Sequence, residues 1–288
     1  MISAHAIAKK IRHLPGLRNL EFLWRWLRPA YQWLLDPLGR GVKITLGGRP
    51  VRVPPALLST NPDWSSYERE SFEKLGAWLD AQRGRMTLLD IGCSFGVVTS
   101  YAVQICPLVD VVAFDSDLTS LRALDAVVPF CAQHRVKRVE GLLGTVHSSG
   151  QTLESAIVAT LSRLPKIASK AAISRSDFVC FGDECASTVP HHQLDALLAD
   201  VAFPGALLLK CDVEGAELLV LDGATELLRR VHPTLLLSVH PFALPRFGQT
   251  TENVAEFLTR HGYHWRVIAR DHEEHWWCEP IPARTDQP

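Results

Sequence analysis

An acidic residue followed by a glycine-rich turn lies between a predicted strand and a predicted helix. The segment Asp90–Gly96 has the sequence DIGCSFG and follows the apolar run of residues 87–91. Gly92 and Gly96 permit a tight turn and a close approach of the backbone to a ligand. Their spacing differs from the GxGxxG pattern of dinucleotide sites, where a pyrophosphate sits at a helix N-terminus. A carboxylate at Asp90 would repel a pyrophosphate, so the turn favours a ligand with a positively charged portion, contacted directly or through water.

A second acidic residue, Asp115, ends the next predicted strand, 23 residues after Gly92. An acid at this strand end is placed to accept hydrogen bonds from ribose hydroxyl groups. A ligand that combines a ribose with ammonium and sulfonium groups is S-adenosylmethionine, and segment 140–143, after the third predicted strand, would border its adenine. We therefore predict these contacts with S-adenosylmethionine: Asp90, Gly92, Cys93, Ser94, Gly96, Asp115, Ser116, Gly141 and Leu142.

Polar residues also follow the fourth and fifth strands of the predicted sheet. Asp212 and Glu214 stand at the end of the fourth strand, and His240 follows the fifth. Because neighbouring parallel strands end at the same edge of a sheet, we expect Asp212 and His240 to lie side by side, where a substrate would approach. An imidazole there can accept the proton of an acceptor hydroxyl. We predict Asp212, Glu214 and His240 as catalytic residues; Asp212 and His240 are both candidates for the base. The alternative for His240 is a structural, hydrogen-bonded histidine.

Metal binding is an alternative that we do not favour from the sequence. Asp212, Glu214 and His240 offer oxygen and nitrogen ligands that suit a magnesium ion, but we assign no metal ligand. A second cluster, Asp271–His275 (DHEEH), is interpreted as a solvated charge run at a strand turn. The pair His191-His192 is interpreted as part of a loop.

From residue 87 onward, apolar strands alternate with helices of 3.6-residue periodicity, which is typical of βαβ units and a parallel sheet. Helices are predicted over Leu153–Leu164 and Ala216–Val231, and a closing antiparallel pair over His264–Ala269 and His275–Cys278. The predicted organisation has a basic, aromatic extension (residues 1–48), a lead-in hairpin end and helix (49–84) and a catalytic domain (85–288). A further strand is predicted over Asp177–Phe181.

Composition places the chain among globular proteins. Its 288 residues are 47% hydrophobic and 21% charged, and the net charge of −1 gives no indication of nucleic-acid binding. No apolar run is long enough to span a bilayer, no signal peptide is evident, and seven cysteines without a CxxC pair suit a reducing compartment, so we expect a cytoplasmic protein. Residues 1–30 hold six basic residues and one acid. The arm of residues 1–40 is therefore expected to contact a membrane surface, or to pack as a helical arm on its own domain or on a second copy of the chain.

These motifs resemble the FkbM-type family of S-adenosylmethionine-dependent methyltransferases. The signature KxDxEGxE matches Lys210–Glu217, LxGA matches Leu221–Ala224, and the family's Leu-Asp pair matches Leu194-Asp195. The resemblance extends over roughly residues 67–265, with Cys93 and Ser94 in place of Ala-Asn, and aspartate in place of glutamate at position 115. Many family members carry glutamate where this chain has His240.

The resemblance implies a Rossmann-like α/β fold with seven strands, mostly parallel, the last of them antiparallel. It also implies an O-methyltransferase acting on a small molecule, such as a sugar, glycan or natural product. The alternative from a different class is a catalytically silent binding module that works through its basic arm. A dinucleotide oxidoreductase is less favoured, because the glycine spacing is wrong for it.

Overall fold

A hairpin and a helix precede the central sheet in the computed structural model, which describes residues 34–37, 40–59, 61, 63–148, 150–164 and 189–282. Strands β1 (Val42–Leu46) and β2 (Arg49–Val53) pair antiparallel, and a 3-10 helix covers Pro55–Ser59. Helix α1 spans Arg69–Ala81 and buries its apolar face against the sheet. The residue before it, Glu68, lies in the left-handed region at φ 39°.

Strands and helices alternate through the rest of the chain, as the apolar periodicity predicts. The elements in chain order are β3 (Met86–Ile91), α2 (Val97–Ile105), β4 (Val109–Asp115), α3 (Leu118–Val127), a 3-10 helix (Phe130–Arg135), β5 (Val136–Glu140), β6 (Leu142–Leu143), α4 (Leu153–Arg163), β7 (His191–His192), α5 (Leu194–Leu197), β8 (Ala206–Cys211), α6 (Glu217–Asp222), α7 (Thr225–Val231), β9 (Thr234–Val239), a 3-10 helix (Leu244–Phe247), α8 (Thr251–Arg260), β10 (Tyr263–Arg270) and β11 (Glu274–Pro280).

Seven of these strands form one sheet in the order β10-β11-β9-β8-β3-β4-β5. The five strands from β9 to β5 run parallel, while β11 is antiparallel to both of its neighbours. The prediction of a Rossmann-like sheet with an antiparallel last strand is therefore confirmed. All six residues of β3 are buried, as expected for a central strand covered on both faces.

The single helix predicted over Ala216–Val231 is wrong, because the chain breaks into α6 and α7 around Gly223. A side chain at Gly223 would clash with the backbone of Gly144, so the chain packs too closely there for any larger residue. The carboxylate of Asp195 accepts hydrogen bonds from the amides of Glu226 and Leu227 at 2.9 and 2.7 Å. This side chain caps the start of α7 from a distant part of the chain.

The interpretation of His191-His192 as part of a loop is also wrong. The two residues form strand β7, which pairs with β6, and His192 is buried with Nε2 3.1 Å from the carbonyl oxygen of Glu140. Segments 1–33, 165–188 and 283–288 lie outside the described residues, and with them most of the basic arm and the strand predicted over Asp177–Phe181. Where the structure describes the chain, no helix combines the length and the apolar character needed to cross a bilayer.

Candidate functional site

The glycine turn lies at the carboxyl edge of the sheet, between β3 and α2. Gly92 and Gly96 both have positive φ, at 72° and 73°. A side chain at Gly92 would clash with the carbonyl oxygen of Asp212, and one at Gly96 with the side chain of Leu124. The amides of Gly92 and Cys93 both donate to the carbonyl oxygen of Phe114 at 3.0 Å. The turn is thereby fixed against the end of β4, next to the predicted ribose site.

Asp115 ends β4 with both carboxylate oxygens engaged by backbone amides. The amide of Ser94 donates to Oδ2 at 2.8 Å and that of Asp117 to Oδ1 at 2.9 Å. Burial raises the pKa of Asp115 to about 6, although these two hydrogen bonds act in the opposite direction. Sγ of Cys93 also lies 3.9 Å from Oδ2, whereas Oδ1 keeps a second lone pair and retains acceptor capacity for a ligand's hydroxyl groups.

The residues predicted to border the adenine follow β5, beside Asp115. The amide of Gly141 donates to the carbonyl oxygen of Asp115 at 2.9 Å, and a side chain at Gly141 would clash with the ring of His192. Leu142 and Ser116 are half-buried. The structure thus brings the turn, Asp115 and this segment to neighbouring strand ends, where one extended ligand can contact all three.

Asp90 lies beneath the turn and has no exposed surface. The hydroxyl of Thr99 donates to its Oδ2 at 2.5 Å, and Nζ of Lys210 lies 3.7 Å from its Oδ1. The expectation that Asp90 contacts a ligand directly or through water does not fit this position. Its charge acts on the site through Lys210.

Lys210 connects the glycine turn with the predicted catalytic residues, a role that the sequence interpretation missed. Its Nζ donates to the carbonyl oxygen of Gly92 at 2.9 Å and to Oδ2 of Asp212 at 3.2 Å. Burial lowers the pKa of Lys210, but Asp212 and Asp90 raise it more, so the net shift is upward. The side chain is a buried, permanent cation between two carboxylates. Its place in the family signature was the only signal in the sequence.

Around His240, four carboxylates converge at the ends of β8 and β9. Its Nε2 lies 3.7 Å from Oδ1 of Asp212 and 3.6 Å from Oε2 of Glu214. Oε2 of Glu273 lies 2.6 Å from the same nitrogen, although the two groups are not aligned for a hydrogen bond. On the opposite side of the ring, Nδ1 lies 2.8 Å from Oε1 of Glu217. The structure therefore brings Asp212, Glu214 and His240 together and adds Glu217 and Glu273.

The environment of His240 does not suit a general base. Burial lowers its pKa, but the contacts with Glu217 and Glu273 and the charge of Asp212 raise it more, to about 11. An imidazole with this pKa carries a proton at neutral pH and has no lone pair to accept another. The predicted base role of His240 is therefore not supported. Oδ1 of Asp212 faces the same space and is the better-placed proton acceptor.

The interpretation of Asp271–His275 as a solvated charge run is wrong for two of its members. Glu273 and His275 are buried, because β11 inserts between β9 and β10 and pairs Glu274 with Val239, next to His240. No local pattern in the sequence indicates this burial, since it depends on the strand order. The fully buried carboxylate of Glu217, the first residue of α6, also contacts His240.

The start of α1 closes one side of this cluster. Burial and the charge of Asp212 raise the pKa of Glu68. A narrow cleft between α1 and the sheet is lined by residues that include Glu68, Ser71, Phe72, Lys210, Ser238 and His275. Among the described residues, three groups place ligand atoms close enough for a metal ion: Glu68 with Glu273 and His275; Asp212 with Glu214 and His240; Asp271 with His272 and Glu273.

Comparison with known families identifies one domain within this architecture. Residues 152–265 match the family model of the methyltransferase FkbM domain, which confirms the predicted resemblance over that part of the chain. The match includes the signature from Lys210 and His240, while the glycine turn and Asp115 precede it. No curated protein matches the sequence.

Solved structures of several methyltransferases are similar to this chain. An FkbM methyltransferase from Methylobacillus flagellatus KT has 13% identity and a TM-score of 0.44, covering 69% of this chain and 45% of that one. An O-methyltransferase family protein from Burkholderia thailandensis has 12% identity and a TM-score of 0.41, covering 74% and 57%. A precorrin-6y C5,15-methyltransferase from Geobacter metallireducens GS-15 has 13% identity and a TM-score of 0.39, covering 77% and 90%.

Proposed function

We propose, on the premise that residues 152–265 are a methyltransferase FkbM domain, that this chain transfers the methyl group of S-adenosylmethionine to a hydroxyl oxygen. One observation carries the proposal. Nζ of Lys210 contacts both the carbonyl oxygen of Gly92, in the glycine turn, and Oδ2 of Asp212, in the carboxylate cluster. A methyl donor at the turn and an acceptor at the cluster would therefore be in direct contact.

The cofactor roles follow from the positions of the strand ends. Asp115 accepts hydrogen bonds from the ribose hydroxyls, the glycine turn lies against the amino-acid portion, and the segment around Gly141 and Leu142 borders the adenine. These roles agree with the site geometry of open α/β sheets, in which ligands bind at the carboxyl ends of the strands.

Methyl transfer then occurs by direct displacement. The acceptor oxygen attacks the sulfonium methyl group, a carbon–oxygen bond forms as the carbon–sulfur bond breaks, and the sulfur takes the electron pair. The hydroxyl proton passes to Asp212, so the products are S-adenosylhomocysteine, a methyl ether and one proton. Holding donor and acceptor in near-attack geometry supplies much of the rate.

The charge of the cluster supports an uncharged acceptor, such as a sugar or a hydroxylated natural product. Asp212, Glu214 and Glu273 all present carboxylates around Nε2 of His240. Carboxylates at the entrance repel the phosphates that dominate nucleic-acid binding. A polyol, in contrast, can donate hydroxyl hydrogen bonds to them.

Calorimetry with S-adenosylhomocysteine tests the cofactor site. We expect the wild-type chain to bind it and Asp115→Ala to bind about 10- to 100-fold more weakly, from the loss of charge-assisted hydrogen bonds. The matched control is Asp110→Ala, on the same strand, whose carboxylate pairs with Arg85 instead. Absence of binding by the folded wild-type chain at millimolar ligand would overturn the proposal.

A transfer assay with radiolabelled S-adenosylmethionine and a panel of hydroxylated acceptors tests the reaction. Transfer that Asp212→Asn abolishes, with cofactor affinity kept within a few-fold, supports the assigned roles. Cofactor binding without transfer to any hydroxylated acceptor would favour the silent binding module instead.

A further inference from the structure

We infer that a divalent cation binds at the ends of β8 and β9, held by Nε2 of His240 and by the carboxylates of Asp212 and Glu214, and displaces the proton that Nε2 carries in its absence. The binding itself does not depend on methyl transfer. Only its consequence for the acceptor, given below, rests on the proposed function.

The spacing of the donor atoms fits one shared ion. The ligand atoms of Asp212, Glu214 and His240 all lie within 4.8 Å of one another. Two ligands about 2.0–2.2 Å from the same ion lie roughly 3.0–3.5 Å apart. The separations of 3.7 and 3.6 Å from Nε2 to Asp212 and Glu214 are close to this range. Glu273, whose Oε2 lies 2.6 Å from Nε2, is not part of this group and adds a negative charge beside it.

The histidine ring is oriented as a metal ligand. His240 is only 6% exposed, and its Nε2 makes no hydrogen bond of normal geometry with any residue that the structure describes. Its Nδ1 is held by Glu217 at 2.8 Å. Metal-binding histidines almost always donate their other ring N–H to a carboxylate or carbonyl, which fixes the tautomer and aims the free nitrogen at the ion. Glu217 supplies that partner here.

The carboxylates are also arranged to leave one oxygen each for the ion. Lys210 occupies Oδ2 of Asp212 at 3.2 Å, while Oδ1 is the oxygen that faces His240. Glu273 is 4% exposed and places a further carboxylate 2.6 Å from Nε2. Partly desolvated carboxylates that converge repel one another, and a divalent charge between them offsets that repulsion.

The donor set selects the class of ion. Two carboxylates and one imidazole suit Mn²⁺ or Mg²⁺, which prefer oxygen ligands, better than the thiolate-seeking metals. An ion at this point lies beside Asp212, where the proposed acceptor hydroxyl would be. A cation there can bind the oxygen of the acceptor and lower the pKa of its hydroxyl group. The site would then favour an acceptor with two adjacent hydroxyl groups, which makes the proposed function more specific.

Manganese binding to the full-length protein tests the inference. The protein is freed of metal with EDTA, desalted and titrated with Mn²⁺ alone, with free Mn²⁺ followed by electron paramagnetic resonance. We expect one bound ion per chain and a loss of affinity of about tenfold or more in Glu214→Gln and Asp212→Asn. Glu214 is 59% exposed, so its variant keeps the fold even if Asp212→Asn does not. The control is Glu279→Gln, at an exposed position of β11. This variant should bind Mn²⁺ as the wild type does.

Two results would overturn the inference. One is a folded wild-type chain that binds no Mn²⁺ at about 1 mM; the other is a Glu214→Gln variant with wild-type affinity. Either result would mean that the positive charge of protonated His240 alone offsets the negative charge of the carboxylates, without a metal ion. Binding of S-adenosylhomocysteine, measured in EDTA, tests the proposed function separately from the metal site. If the protein binds S-adenosylhomocysteine but not Mn²⁺, only the metal site is overturned. If it binds Mn²⁺ but not S-adenosylhomocysteine, only the proposed methyl transfer is overturned.

Discussion

Nδ1 of His240 lies 2.8 Å from Oε1 of Glu217, and both side chains are buried. The same carboxylate oxygen accepts the amide hydrogen of Gly215 at 2.9 Å. Glu217 therefore connects the loop after β8 with the residue after β9 and fixes the orientation of the imidazole. Nε2 consequently faces the carboxylates of Asp212, Glu214 and Glu273.

Replacement of Glu217 by glutamine tests this orientation. The amide side chain would keep the shape but lose the charge that holds Nδ1–H, so we expect turnover to fall about 10- to 100-fold in Glu217→Gln. Affinity for S-adenosylhomocysteine, for which we propose a site at the glycine turn, should stay within a few-fold. Glu226→Gln, at an exposed pair with Arg229, is the control. Wild-type turnover in Glu217→Gln would show that the ring needs no charged partner.

A double-mutant cycle measures the coupling of Lys210 to Asp90. Lys210→Met leaves a fully buried carboxylate without its cation, which costs about 3–5 kcal/mol for a buried pair. Adding Asp90→Asn removes that charge, so the double variant should be more stable than Lys210→Met alone. Urea denaturation provides the free energies of unfolding. Strictly additive losses would mean that the 3.7 Å separation carries no energetic coupling.

Cofactor affinity should depend on pH through Asp115. Burial raises its pKa to about 6, so the carboxylate is ionised above that pH and protonated below it. The protonated form loses acceptor capacity for the ribose hydroxyls, and affinity for S-adenosylhomocysteine should therefore fall as the pH drops through about 6. Calorimetry across this range, with Asp115→Asn as the variant that removes the dependence, provides the measurement. A wild-type affinity that is constant from neutral pH to pH about 5 would contradict the ribose assignment.

Two glycines with the same backbone conformation separate the effect of backbone strain from the effect of a steric clash with neighbouring atoms. Gly92 has φ 72° and faces the carbonyl oxygen of Asp212, whereas Gly248 has φ 69° with no atom within 4 Å of an added side chain. Gly248→Ala should lower the free energy of unfolding by about 1–2 kcal/mol, the cost of a left-handed alanine. Gly92→Ala adds a backbone clash and should lower it by roughly 4 kcal/mol or more. Equal thermal-unfolding shifts in the two variants would exclude the close packing of Gly92 on Asp212.

Much of the architecture was predictable because it depends on local patterns. Apolar runs followed by glycine or an acid predict buried parallel strands, and this located β3, β4, β8 and β9 and the closing pair β10–β11. The approach of His240 to Asp212 followed from the same rule, since parallel neighbours end at one edge. The break between α6 and α7 was not predictable, because the cap at Asp195 and the close contact of Gly223 with Gly144 come from distant parts of the chain.

The sequence by itself therefore determined which residues stand at the strand ends, but not the electrostatics between them. Lys210 appears in a strand pattern as one polar residue, and only the sheet places its Nζ between Asp90 and Asp212. Glu273 appears as part of a solvated run, and only the insertion of β11 beside β9 buries it against His240. The physical reason is that the burial and pKa of an ionisable group depend on neighbours brought in by long-range strand pairing. The tertiary structure consequently decided that carboxylates surround His240 and raise its pKa to about 11, which does not suit a free base.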